Sequence, residues 1–146
     1  LDELTDQAKK TYSVNTIYLG TEGAVGHNTD VDGFEESLRY AEYDVKDKNI
    51  LILGAGGVVP SIIFALINMK AQSIAVSNRT KEKVENLKKR FNKIKIVDWG
   101  NVPSVDMIIN ATSVGLNKED KFNLDFSEIK NKFFCFLFVI FTFIEI

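Results

Sequence analysis

The run Asn49-Ile50-Leu51-Ile52-Leu53-Gly54-Ala55-Gly56-Gly57-Val58-Val59 constrains this chain more than any other segment. A short apolar strand breaks at once into glycines and then enters a helix-forming stretch. That order presents backbone N–H groups to an anion at a helix N-terminus. Gly54 permits the tight turn, and Gly56 removes a Cβ from the path of an approaching phosphate. Val59 stands at the third fingerprint position, where Gly or Ala is usual, so helix-to-strand packing departs from the pattern here. Alone, such a loop also suits a tight βα turn that binds nothing. Its placement between strand and helix favours the phosphate.

A second strand, Ser73-Ile74-Ala75-Val76-Ser77, follows and ends in Asn78-Arg79-Thr80. A dinucleotide-binding fold for NAD usually places an acid at this point to accept from the ribose 2′-OH. Arg79 instead offers a planar cation that pairs bidentately with a phosphate. Thr80 adds a hydroxyl and suits the N-cap of the next helix, and Lys83, one turn in, is expected on the same side. The plain alternatives are a solvated surface arginine and a simple cap. Taken with the glycine loop, the segment points to the phosphorylated dinucleotide NADP, with Gly54, Ala55, Gly56, Gly57 and Val58 at the diphosphate and Asn78, Arg79, Thr80 and Lys83 at the 2′-phosphate.

From Lys48 onward strands and helices alternate: strand 50–53, helix 60–69, strand 74–77, helix 81–91, strands 94–97 and 106–111. This requires a parallel sheet with right-handed crossovers, in order 3-2-1-4, and a ligand at the carboxyl ends near the switch between strands 1 and 4. The first helix is apolar nearly all round, so it is expected to be sandwiched. Before Lys48 the pattern predicts the tail of a helix over 2–10, a hairpin of 14–19 and 24–27, a loop at Asn28-Thr29-Asp30 and a helix from Gly33 to about Tyr43. The fold class is therefore α/β: a Rossmann-like doubly wound parallel sheet preceded by the end of an α/β substrate domain. The expected boundaries are 1–32 for the end of that domain, 33–47 for a linker helix and 48–146 for the nucleotide domain.

Composition narrows the partners. A net charge of −2 gives no basic field for nucleic acid or acidic membranes. One cysteine, Cys135, and one histidine leave neither a disulfide framework nor a zinc cluster and suit a cytoplasmic location. The segment 133–144 is apolar except for Thr142 and holds six of the eleven phenylalanines, yet it is shorter than the about twenty residues a bilayer span requires. A buried fifth strand over 133–138 is expected. The rest of the tail lacks turns, caps and a polar face, which suggests a truncated or frame-shifted ending after about residue 136.

A third constellation joins Ser13-Val14-Asn15-Thr16 to Gly26-His27-Asn28-Thr29-Asp30-Val31-Asp32-Gly33-Phe34. Asn15 and Asp30 lie where the chain leaves one unit for the next, and a carboxylate in such a cleft can bind a polyol and assist proton transfer. Asp30 also suits a loop or a helix cap, and His27 reads as a half-buried strand residue rather than a catalyst.

Together Val14-Asn15-Thr16, Asn28-Thr29-Asp30 with Gly33-Phe34, the 54–57 loop, Asn78-Arg79-Thr80 and 106–115 resemble the shikimate dehydrogenase family over about residues 2–129. The resemblance implies NADPH-dependent reduction of 3-dehydroshikimate to shikimate in aromatic amino-acid biosynthesis. It also implies Asp30 as the aspartate of a catalytic lysine–aspartate pair, Asn15 and Asp30 as substrate ligands, and 110–113 near the nicotinamide. In the family the lysine belongs to a segment upstream of Leu1, with the serines that hold the substrate carboxylate, and neither Lys9 nor Lys10 matches it. The 146 residues alone are therefore expected to be inactive, since the lost acid–base help is worth roughly 10²–10⁴-fold. The resemblance implies small-molecule partners, no metal, no nucleic acid and no membrane, and leaves a homodimer of the full-length enzyme open. Two other readings stay open: a non-catalytic NADP-binding module, and a quinate/shikimate dehydrogenase of broader specificity. An aminoacyl-tRNA-using reductase with a similar Ser-Asn-Arg-Thr strand end lacks a suitably placed cysteine.

Overall fold

The structure, a computed structural model, describes residues 1–114, 123–126 and 135–137. Its elements run β1 (Glu3–Leu4), α1 (Asp6–Thr11), β2 (Thr16–Gly20), β3 (Gly23–His27), α2 (Asp30–Tyr40), β4 (Asn49–Leu53), α3 (Val59–Asn68), β5 (Ser73–Ser77), α4 (Lys81–Arg90), β6 (Lys95–Ile96), β7 (Met107–Asn110) and β8 (Cys135–Leu137). They form a small sheet of order β1-β3-β2 and a five-stranded parallel sheet of order β6-β5-β4-β7-β8. The larger sheet has the expected Rossmann-like order, with the predicted fifth strand beside β7. The remainder of the phenylalanine-rich tail and Gly115 lie outside the described residues.

β4 is central and buried on both faces, which is why four consecutive apolar residues suit it. Ile50 and Ile52 join a core with α2, α3 and α4, while Leu51 and Leu53 join a second core with Val97, Trp99, Val102 and Phe126. α3 has the near-complete burial its sequence predicts, because the sheet lies on one side and α2 packs on the other. Its fully buried Ile62, Ile63 and Leu66 are each worth roughly 1.5–3 kcal/mol, so burial outweighs any contribution from caps. Val59, the departure from the fingerprint, is the first residue of α3 and is fully buried in that core. Among the described residues, no helix is long and apolar enough to cross a membrane.

The first third of the chain departs from expectation in three places. Leu4 belongs to a strand, not to a helix: Glu3–Leu4 pair in parallel with Val25–Gly26, and Thr5, at ψ 162°, caps the later α1 with its hydroxyl. The hairpin is tighter than expected, since Gly20 pairs with Gly23 and only Thr21 and Glu22 connect them. Most important for the site, α2 starts at Asp30 instead of Gly33 and ends at Tyr40 instead of Tyr43. The Asn28 carboxamide oxygen accepts from the backbone N–H of Asp30 and of Val31, closing the first turn three residues early. Glu42, at φ 52°, ends it.

Candidate functional site

The glycine loop leaves the carboxyl end of β4 beside the end of β7, at the predicted switch between strands. Gly54 adopts φ +113°, and a Cβ there would lie 2.6 Å from the Ala111 carbonyl oxygen. Both the dihedral and the contact with Ala111, just past β7, therefore require glycine. The turn is pinned on each side: Gly54 N–H donates to the Ser77 carbonyl at 2.8 Å, and Ala111 N–H to that of Leu53 at 2.8 Å. At Gly56 and Gly57 a Cβ would meet nothing within 4 Å, so the space above the loop is open. After β7 the Asn110 side chain locks its own turn, accepting from the Thr112 N–H and hydroxyl and donating to the Val114 carbonyl.

Asn15 and Asp30 are brought together. The Asn15 Nδ2 donates to Asp30 Oδ1 at 2.8 Å, while its Oδ1 accepts from the Thr29 N–H at 3.0 Å. Asp30 lies in the first turn of α2 and not in a loop. Burial pushes its carboxyl above the ordinary carboxylate value, and the hydrogen bond from Asn15 opposes that rise. A carboxyl raised in this way keeps its proton to a higher pH than a solvated one, which suits it to hold a proton beside a reacting group. His27 is engaged elsewhere, with Nδ1 2.9 Å from the Thr5 hydroxyl and Nε2 3.9 Å from Asp32.

The predicted phosphate cations separate into two clefts. Arg79 is exposed and lines a pocket of about 180 Å³ with Asn78, Lys81, Asp98 and Trp99. Lys83 does not join it, contrary to the expectation of a shared side. With Gly56, Gly57, Tyr12 and Arg90 it lines a cleft of about 370 Å³ on the other flank of α4. The helix repeat explains the split: Val84 and Leu87 bury the inward stripe of α4, and Lys83, Asn86 and Arg90 share a stripe beside it. Thr80 holds the N-cap position, but its side chain makes no cap hydrogen bond, and the Asn78 Nδ2 donates to the Thr80 carbonyl at 3.0 Å.

Three further features escaped the sequence. Asn28 is fully buried and joins three segments. The only available signal was an amide two residues before an acid at a helix start. Arg90 spans the larger cleft, donating to the Thr11 carbonyl with its guanidinium 4.5 Å from the Tyr12 ring centre. Asp98, 3.7 Å from Lys81, places a negative charge in the Arg79 pocket. Both are long-range contacts that no local pattern encodes. Among the described residues no cluster of His, Cys, Asp and Glu could hold a metal ion.

A protein-family model described as shikimate / quinate 5-dehydrogenase matches residues 36–120. The chain is 51% identical over 135 residues to a shikimate dehydrogenase (NADP(+)) of Pelagibacter ubique, covering 92% of this chain and 51% of that one. A solved shikimate dehydrogenase from Aquifex aeolicus is 40% identical and superposes with a TM-score of 0.72 over 84% of this chain and 47% of its own. One from Thermus thermophilus, in complex with NADP(H) and shikimate, is 32% identical at a TM-score of 0.71, covering 80% and 43%. The chain spans about half the length of the curated relatives it matches. By family model, sequence identity and parallel-sheet fold alike, the chain belongs to the shikimate / quinate 5-dehydrogenase family.

Proposed function

We propose that this chain carries the nucleotide-binding part and the proton-handling carboxylate of an NADP-dependent dehydrogenase interconverting 3-dehydroshikimate and shikimate. The observation that carries the reading is the Asn15–Asp30 pair at the start of α2, hydrogen-bonded through Asn28 to the first turns of α3, the helix that follows the glycine loop. Residues 1–32 end the substrate domain, 33–47 form the link and 48–146 the nucleotide domain, with α2 itself reaching back to Asp30.

The loop fits a dinucleotide. Gly54 is close-packed against Ala111, just past β7, while the space over Gly56 and Gly57 is open, the shape a diphosphate needs at a helix N-terminus. When bound, NADPH supplies a hydride to the ketone carbon. Gly54, Ala55, Gly56, Gly57 and Val58 hold the diphosphate, and Lys83, beside Gly56 and Gly57, adds charge there. Asn78 and Arg79, which line one pocket, and Thr80 at the N-cap of α4 would hold the 2′-phosphate. Asn15 orients Asp30, which accepts a hydrogen bond from a substrate hydroxyl and shares in moving the proton that the carbonyl oxygen takes up. The partners are small molecules and the location cytoplasmic, with a homodimer of the full-length enzyme left to sedimentation.

One observation favours the quinate/shikimate reading with tolerance for NAD: the Asp98 carboxylate shares the Arg79 pocket and opposes a phosphate there. Affinities of the chain for NADP⁺ and NAD⁺ decide between them. NADP⁺ binding at least tenfold tighter, lost in Arg79→Ala without change for NAD⁺, supports the NADP enzyme. Equal affinities and equal losses would refute it.

A further inference from the structure

The strongest unused feature is the buried carboxamide of Asn28. It is 0% exposed, and each of its polar atoms is engaged. Its Oδ1 accepts from Asp30 N–H at 3.1 Å, Val31 N–H at 3.3 Å and the Ser61 hydroxyl at 3.2 Å; its Nδ2 donates to the Ser13 carbonyl at 3.3 Å. Two backbone N–H groups face the same atom, which fixes that atom as the oxygen. Capping α2 needs only the first two bonds. The other two lead away, one to the segment before β2 that carries Asn15 and one to α3.

Ser61 sharpens the point. A serine within a helix can point its hydroxyl to solvent or return it to a nearby backbone carbonyl. Ser61 is 0% exposed, lies two residues into α3 and bonds across to Asn28 instead. Both groups sit where an unpartnered polar atom would be costly, so each holds the other in place.

We propose that Asn28 is a positioning residue: its carboxamide, anchored by Ser61 to the helix that leaves the glycine loop, sets where the Asp30 carboxylate stands relative to the bound nucleotide. The role rests on Asp30 being the proton-handling group. Asn28 reaches the backbone of Asp30, the segment holding Asn15, and α3 at once, and no other described side chain joins these three.

NMR of the 146-residue chain tests this through the side-chain amide signals of Asn15, which report its bond to Asp30, and through amide exchange at Asp30 and Val31. Ser61→Ala leaves the cap bonds intact and is the mild variant; Asn28→Ala is the severe one; Ser37→Ala, which deletes a helix hydroxyl bonded to the Phe34 carbonyl, is the control. The expected result is that Ser61→Ala shifts the Asn15 amide signals and speeds exchange at Asp30 and Val31 about fivefold, as losing one hydrogen bond does, while Ser37→Ala moves neither. Unchanged Asn15 signals in Ser61→Ala would overturn the proposal and leave Asn28 a plain cap. A separate arm adds NADP⁺. If the Gly56 and Gly57 amides do not move, the cofactor assignment fails, while the cofactor-free comparison still judges Asn28.

Discussion

The surroundings of Asp30 and of Arg79 differ in kind. Around Asp30 the hydrogen bonds are already made: Asn15 donates to the carboxylate, Thr29 donates to Asn15, and Asn28 holds the backbone. Around Arg79 almost nothing is made, because the guanidinium is exposed and has no hydrogen bond among the described residues. The physical reason is charge. A half-buried carboxylate needs neutral amide donors to remain in place, whereas a cation meant for an anionic ligand keeps water until that ligand arrives. On the proposed reading, one region is set by folding and the other is completed by binding, so substitutions should separate them by what they change.

The largest effect is expected where the two regions share a scaffold. Gly54→Ala forces a side chain into a positive-φ site against the Ala111 backbone. It should cost about 3 kcal/mol in urea denaturation and weaken every ligand. A stable Gly54→Ala chain with normal binding would mean that the loop is not a fixed cradle.

Arg79→Ala comes next and should leave stability unchanged while weakening NADP⁺ roughly ten- to a hundredfold and NAD⁺ not at all. A drop in melting temperature would show that the arginine belongs to the fold after all. Asn15→Ala tests the opposite region. Losing its hydrogen bond removes the one influence that lowers the Asp30 carboxyl, so that carboxyl should titrate still higher by ¹³C NMR. Folded Asp30 holds its proton to a higher pH than the unfolded chain, whose value is near 3.8. The stability it adds is present below that value and is lost as pH rises through the folded value, more steeply in the variant. The smallest effect is expected from Asp98→Asn, which removes an exposed charge paired with Lys81. It should tighten NADP⁺ about threefold with no change in NAD⁺ by calorimetry.

The contrast also decided what was legible in the sequence. β4 could be read because four apolar residues ending at a glycine suit a strand buried on both faces. The place of Arg79, though not its role, could be read because it follows β5 by two residues. The start of α2 could not, since it depends on a buried Asn28 side chain reaching into the next turn, and a polar Asn-Thr-Asp run looks like a loop. β1 was hidden because two residues carry no period and become a strand only beside the free edge of β3. Lys83 was misplaced because one helical turn fixes a residue's height but not its flank; the burial of Val84 and Leu87 turned it away from Arg79.

The central claim is that the glycine loop and Arg79 grip two ends of one phosphorylated dinucleotide. Titrating NADP⁺ into the ¹⁵N-labelled chain and following the Gly56 and Gly57 amides with the Arg79 Nε signal tests it most directly. All three should move together along one binding curve, and NAD⁺ should move only the glycines. Movement of the glycines while Arg79 stays still under NADP⁺ would contradict the account.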